Sequence, residues 1–208
     1  MSPAVSAERP FVLCLTGSLG MGKSTAAKFF AEEGVAVHDS DATVHALYEG
    51  EATPLVEAAF PGSTNGGKVD RNKLAAMVLN DKAALARLEA IVHPMVTASR
   101  EKFLAQAQAR GAKIVVFDVP LLFETKAERG CDAVVVVSAP PEIQRKRAFE
   151  RPGMTDDKLA AILAKQMPDT EKRGRANFIV DSSQSFDHTR AQIRDILRKV
   201  AKLPAKRR

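Results

Sequence analysis

With 208 residues, 45% of them hydrophobic, the chain has the material for one well-buried core, with room for a helical insertion or a mobile lid. No run approaches the roughly 18 apolar residues of a membrane span, and the segment ahead of Phe11 lacks the apolar stretch of a secretory signal, so a soluble, cytoplasmic protein is expected. The formal charge of +6 suits an anionic partner, but Lys199, Lys202, Lys206, Arg207 and Arg208 crowd the end of the chain, and with no tryptophan, a single tyrosine and no interleaving of aromatic and basic residues, nucleic-acid binding is not expected.

Phe11-Val12-Leu13-Cys14-Leu15-Thr16 is a short run of strand formers cut off by Gly17, the pattern of a central strand covered on both faces. Cys14 lies in this run and Cys131 in another. Two cysteines so far apart make neither a disulfide framework nor a metal cluster, and both read as buried packing residues. A helix is predicted from Ser24 to Glu33, with Ala26, Ala27, Phe29, Phe30 and Ala31 on one stripe and Gly34 at its end.

Between that strand and that helix, Gly17-Ser18-Leu19-Gly20-Met21-Gly22-Lys23-Ser24 fits G-x-x-x-x-G-K-[ST] in the context the motif requires. Glycines let the backbone wrap close to phosphates, so that successive N–H groups and the helix N-terminus face an anion. Lys23 supplies a point charge at the β and γ phosphates, Ser24 a hydroxyl ligand for Mg²⁺, and Thr25 a further phosphate hydrogen bond. The motif predicts nucleotide binding but leaves the acceptor open, because GTPases, ATPase motors and small-molecule kinases share it.

Val35 to His38 reads as a second strand ending at Asp39-Ser40-Asp41. Ligands of open α/β sheets bind at the carboxyl ends of strands, and a kinase needs a carboxylate that orients the attacking hydroxyl and takes its proton. Asp41 is the candidate base. Asp39 either supports it or caps the following helix. The stretch to Arg110 is read as all helix: Pro61 to Gly67 is a loop, Asp70 caps one helix, a second begins near Asp81, and Pro94 breaks or redirects it before another. His93, beside that proline, reads as a packing or helix-end residue.

Lys113 to Asp118 and Asp132 to Ser138 are β-branched runs of a parallel sheet. Asp118 ends the first in the manner of an aspartate that holds Mg²⁺, against the plainer reading of a residue turning into the Pro120 loop. Glu124 reads as a solvated loop residue. A helix over Pro141 to Glu150 brings Arg145, Lys146, Arg147 and Arg151 together, and of these Arg147 and Arg151 are the candidates for a lid that closes on the triphosphate. A helix from Thr155 to Gln166, a strand from Asn177 to Asp181 and a helix from Phe186 follow. Alternating strands and helices imply a doubly wound α/β sheet with the helical middle as an insertion.

Taken together, Leu15 to Thr25, Asp39-Ser40-Asp41, Val92-His93-Pro94, Val119 to Glu124 and the Arg147 to Gln166 segment resemble the dephospho-CoA kinase family, in matching order from about Phe11 to Asp181. The resemblance implies phosphorylation of the ribose 3′-hydroxyl of dephospho-CoA by MgATP, on a P-loop kinase fold with a five-stranded parallel core. It also implies a single domain over 11–200, with a nucleotide core at 11–41, 111–146 and 168–200, a helical CoA subdomain at 42–110, a lid at 147–167, and tails at 1–10 and 201–208. By the same resemblance Asp41 is the base, Gly20 to Thr25 hold ATP, and His93 lies in the acceptor region. Ser18 and Met21 stand where the family usually shows glycine and a small residue, and Asp181-Ser182-Ser183 replaces its asparagine-containing strand end.

Overall fold

The computed structural model describes residues 9–79 and 81–205. Residues 1–8 of the expected tail at 1–10, and Lys206, Arg207 and Arg208 of that at 201–208, lie outside them. The chain divides into two compact units, one formed by the residues up to His38 together with those from Gln106 onward, the other by Asp39–Ala105. In chain order the elements are β1 (Phe11–Thr16), α1 (Lys23–Glu32), β2 (Ala36–Asp39), α2 (Ser40–Tyr48), α3 (Thr53–Ala59), β3 (Thr64–Asn65), β4 (Lys68–Val69), α4 (Arg71–Val78), α5 (Lys82–Ala109), β5 (Ile114–Asp118), a 3-10 turn at Ala127–Gly130, β6 (Ala133–Ser138), α6 (Pro141–Phe149), α7 (Asp156–Leu163), α8 (Asp169–Arg175), β7 (Phe178–Asp181) and α9 (Phe186–Val200).

The main sheet has the strand order β2-β5-β1-β6-β7 and is parallel throughout. All six residues of β1 are buried, as an apolar run without alternation requires of a strand covered on both faces. Its register runs from Phe11↔Ile114 to Leu15↔Asp118 on one side and from Leu13↔Ala133 to Thr16↔Val136 on the other. Leu13, Leu15, Val116 and Val135 pack with Phe29 and Phe30 of α1 and Ile193 and Ile196 of α9. Each such side chain contributes about 1.5–3 kcal/mol on burial.

Two expectations are corrected in this unit. Cys14 and Cys131 are buried, at 2% and 1% exposure, but they are joined as a disulfide. Cys131 lies just before β6, which pairs with β1, and its Cα stands 5.8 Å from that of Cys14, a proximity hidden by a sequence separation of 117. Arg9, assigned to a tail, is held by two hydrogen bonds to the buried Asp132, at 2.8 and 2.6 Å. The same carboxylate accepts from Val12 N at 2.7 Å.

The Asp39–Ala105 unit has its own apolar cluster, in which Leu47, Val56, Phe60, Leu74, Val78, Leu88 and Val92 pack together. It is not all helix. β3 and β4 form an antiparallel hairpin, Thr64↔Val69 and Asn65↔Lys68, turned by Gly66 at φ 58 and Gly67 at φ 78, the left-handed pair that a two-residue turn of right-handed strands needs. Nor does Pro94 end a helix: α5 runs through it unbroken. Leu88, Ile91, Val92, Met95 and Val96 keep helical spacing across the proline and pack on the cluster, and that packing outweighs the one hydrogen bond Pro94 removes.

Candidate active site

The phosphate loop links β1 to α1, and its glycines have separate steric reasons. A Cβ on Gly17 would lie 2.7 Å from Val137 O, and one on Gly20 would lie 2.5 Å from Gln144 O. Gly20 and Gly22 also hold φ of 78 and 84, a region costly to other L-residues. Gly22 is the N-cap of α1, and no side chain caps that end, so the first amides of the helix point out of the loop as anion donors. Lys23 begins α1 and Ser24, exposed, follows it, with Thr25 in the same turn. Met21, at a variable motif position, is buried, and its sulfur accepts from Ala139 N at 3.1 Å.

Lys23 and Asp118 come together, with Nζ 2.5 Å from Oδ1 and side chains 15% and 5% exposed. Asp118 is the last residue of β5, one strand away from the loop, and Val119 N continues the ladder to Leu15 O at 2.9 Å. Opposite charges at this separation, sheltered from water, interact more strongly than a surface pair. The ammonium is thereby fixed between the loop and a carboxylate.

Around the loop the later segments converge. Gln144 Nε2 donates to Leu19 O at 2.8 Å, and Leu19 N donates to Gln166 Oε1 at 3.2 Å. Arg147 donates from Nη1 to Ser182 Oγ at 2.8 Å and from Nη2 to Ser182 O at 2.7 Å. Arg151 is exposed just beyond α6, whereas Arg145 is drawn into an ion pair with Asp156. Sequence reasoning missed the role of Ser182 altogether.

Glu124 is not solvated. Its Oε1 accepts from Met167 N at 2.7 Å and lies 2.9 Å from Nζ of Lys172, a lysine with no exposed side-chain surface. Burial pushes the Glu124 carboxyl up, but the Lys172 ammonium beside it and the hydrogen bond from Met167 N outweigh that and hold the group below the usual glutamate range. The pair ties the segment after Gln166 to the loop that follows β5. Helix α8, which carries Lys172, was not anticipated.

The remaining candidates lie in the Asp39–Ala105 unit. Asp39 is the N-cap of α2, with Oδ1 accepting from Ala42 N at 2.9 Å, so the capping role is realised. Asp41 is exposed in the first turn of the same helix. Between them Ser40 is buried, and its Oγ accepts from Arg100 Nη2 at 2.8 Å. Burial of the Arg100 guanidinium lowers its pKa. His93 is exposed on α5. Among the described residues no group of three or more His, Cys, Asp or Glu is gathered for a metal, and no helix is long and apolar enough to cross a membrane.

Known proteins agree with these observations. The dephospho-CoA kinase family pattern matches residues 11–188. A dephospho-CoA kinase of Rhodopseudomonas palustris is 60% identical over 196 residues, covering 94% of this chain and 98% of that protein. A crystallised protein from Thermus thermophilus superposes with a TM-score of 0.83 at 31% identity, covering 93% of this chain and 99% of that one. The dephospho-CoA kinase of Campylobacter jejuni, at 23% identity with 92% and 98% covered, shares the fold with a TM-score of 0.63. With the phosphate loop, the parallel five-stranded sheet and the match over nearly the whole length, the chain belongs to the dephospho-CoA kinase family and has a P-loop kinase fold.

Proposed function

We propose that the chain transfers the γ-phosphoryl group of MgATP to the ribose 3′-hydroxyl of dephospho-CoA, with Asp41 as the base. ATP-dependent phosphorylation of dephospho-CoA follows from family membership. The observation that carries the division of roles is the phosphate loop, where the side-chain-uncapped amide end of α1 and the ammonium of Lys23, held in place by Asp118, put donors where phosphoryl transfer needs them.

In the reaction the acceptor oxygen bonds to the γ-phosphorus as the bond to the ADP oxygen breaks, and the hydroxyl proton passes to the Asp41 carboxylate. Lys23 and the amides of Gly17, Gly20 and Gly22 stabilise the charge on the phosphates, Met21 shapes the loop by donating its N–H to Ser18 O at 3.1 Å, and Thr25 adds a hydroxyl donor. Arg147 and Arg151 bring guanidinium groups to the triphosphate. The Asp39 cap keeps the first turn of α2 in register, which supports Asp41 and the acceptor contact, and His93 belongs to the acceptor-binding surface of the 42–110 subdomain. The segment at 147–167 acts as the lid.

Ser24 and Asp118 would hold Mg²⁺. One hydroxyl and one carboxylate fit that ion, which binds through few protein oxygens together with substrate phosphates and water. When bound, it would supply positive charge against the phosphates.

The test is Asp41→Asn. The variant should retain ATP affinity and lose about 10²–10⁴-fold in turnover with dephospho-CoA, the span expected for removal of a general base. ADP release and CoA formation by the purified protein measure it, and unchanged turnover would sink the assignment.

A further inference from the structure

Ser182 follows the last residue of β7, at 7% exposure, and its polar atoms bond to three separate elements. Its N–H donates to Ser138 O at 2.9 Å, continuing the β6–β7 ladder. Its Oγ donates to Met21 O in the phosphate loop at 2.8 Å. The same oxygen accepts from Arg147 Nη1 at 2.8 Å, and the Ser182 carbonyl accepts from Arg147 Nη2 at 2.7 Å. A Cβ on Gly22 would lie 3.0 Å from Ser182 Oγ and 3.5 Å from Arg147 Nη1, so the hydroxyl and the guanidinium both stand against the residue that precedes Lys23.

We propose that Ser182 is a positioning residue for nucleotide binding, one hydroxyl that holds Arg147 against the phosphate loop in the orientation that meets the triphosphate. A hydroxyl suits this place because it has one proton to give and lone pairs to receive. The proton goes to Met21 O, and the lone pairs are left for the cation. Donating to a carbonyl while accepting from a guanidinium polarises the hydroxyl in one direction, and each bond strengthens the other. Arg147 uses one edge of its planar fork on Ser182 and keeps its other donors for an anion, which a lysine at that position could not do.

Strand ending alone does not account for this arrangement. The bond from Ser182 N to Ser138 O already completes the ladder, so the hydroxyl is free of that duty, and both of its hydrogen bonds run to elements that read as ATP-binding. Nor, among the described residues, does a carboxylate pair with Arg147. Hydroxyl and carbonyl partners fix the guanidinium without cancelling its charge.

The inference rests on the reading of Arg147 as a phosphate ligand, and its test separates the two. Steady-state kinetics would be measured for the wild type, Ser182→Ala, Arg147→Ala and the double variant, titrating ATP and dephospho-CoA in turn, with thermal unfolding of each to check folding. Ser182→Ala should raise the KM for ATP about tenfold, the effect of losing hydrogen bonds to a charged group, and leave the KM for dephospho-CoA within about twofold. The double variant should be no worse than Arg147→Ala alone, because Ser182 acts through that arginine. A general loosening of the strand end would instead move both KM values and multiply with the arginine change. If Ser182→Ala does not fold, Ser182→Cys, nearly the same size with a weaker donor and acceptor, makes the same comparison. An ATP KM unchanged by Ser182→Ala while Arg147→Ala raises it, or penalties that multiply, would overturn the inference and leave the arginine reading standing. An ATP KM untouched by Arg147→Ala would overturn both.

Discussion

The two units of the chain bury different kinds of side chain. Among the described residues the fully buried charged groups, Asp118, Asp132 and Lys172, all belong to the unit that carries the phosphate loop, whereas in Asp39–Ala105 the fully buried polar residues are Ser40 and Ser63, and the desolvated cation there, Arg100, is only half-buried. Burying charge is costly unless each group finds a partner. The partners are present: Lys23 for Asp118, Arg9 and Val12 N for Asp132, Glu124 for Lys172. The second unit relies on an apolar cluster and on surface carboxylates that satisfy backbone amides, such as Asp39, Asp70, Asp81 and Glu57. The difference suits the proposed tasks. A triphosphate is met by charges held in place before it arrives.

The largest expected effect falls on the buried pair at the loop. Lys23→Ala removes the point charge and leaves Asp118 without that counter-ion, so kcat/KM should fall by about 10³-fold. The fall should be seen as lost CoA formation at saturating dephospho-CoA. A loss under about tenfold would mean that the loop amides carry the phosphate charge without the lysine, and the contrast between the units would lose its functional meaning.

A smaller effect, read in stability, is expected at Glu124. Glu124→Gln keeps an acceptor for Met167 N but leaves the buried Lys172 ammonium uncompensated, at a cost of about 3 kcal/mol, to be measured by urea unfolding at neutral pH. The pH dependence has a definite sign. The folded-state pKa of Glu124 is depressed, so the folded chain binds fewer protons than the unfolded one in the window between the two values. Stability from the pair is therefore fully present above the unfolded value of about 4.3 and is lost as pH falls through the folded value. Wild type and variant should differ most near neutrality and converge in acid. A gap of constant size down to low pH would mean that the substitution acts through packing rather than charge.

Local chemistry made part of this architecture legible. The β1–loop–α1 unit announced itself because an apolar run, four glycine-motif offsets and an amphipathic helix occur consecutively. The strands at Ile114–Asp118 and Ala133–Ser138 were equally plain from their unbroken apolar runs. What stayed hidden depended on distant residues. Nothing near Glu124 points to Lys172, nothing near Cys14 points to Cys131, and nothing near Arg147 points to Ser182, because each pairing exists only once parallel strands have been laid side by side. Two features were readable and were misjudged. Asn65-Gly66-Gly67 is a hairpin signal, and the stripe Leu88, Ile91, Val92, Met95, Val96 keeps its spacing through Pro94, which argues for one helix rather than two.

The smallest expected effect asks whether the units are as separate in stability as in composition. Asp70 Oδ1 accepts from Asn72 N at 3.0 Å and Lys73 N at 3.2 Å, satisfying amides at the start of α4 that the helix itself cannot. Asp70→Ala should cost about 1 kcal/mol, and Asp70→Asn, which keeps the acceptor, much less. If the Asp39–Ala105 unit opens on its own, that cost appears as about fivefold faster amide exchange in Arg71–Val78, with β1 unchanged. Equal acceleration in β1 would mean that the two units open only as one cooperative body, and the contrast in what they bury would then describe a single unfolding unit with an uneven distribution of charge.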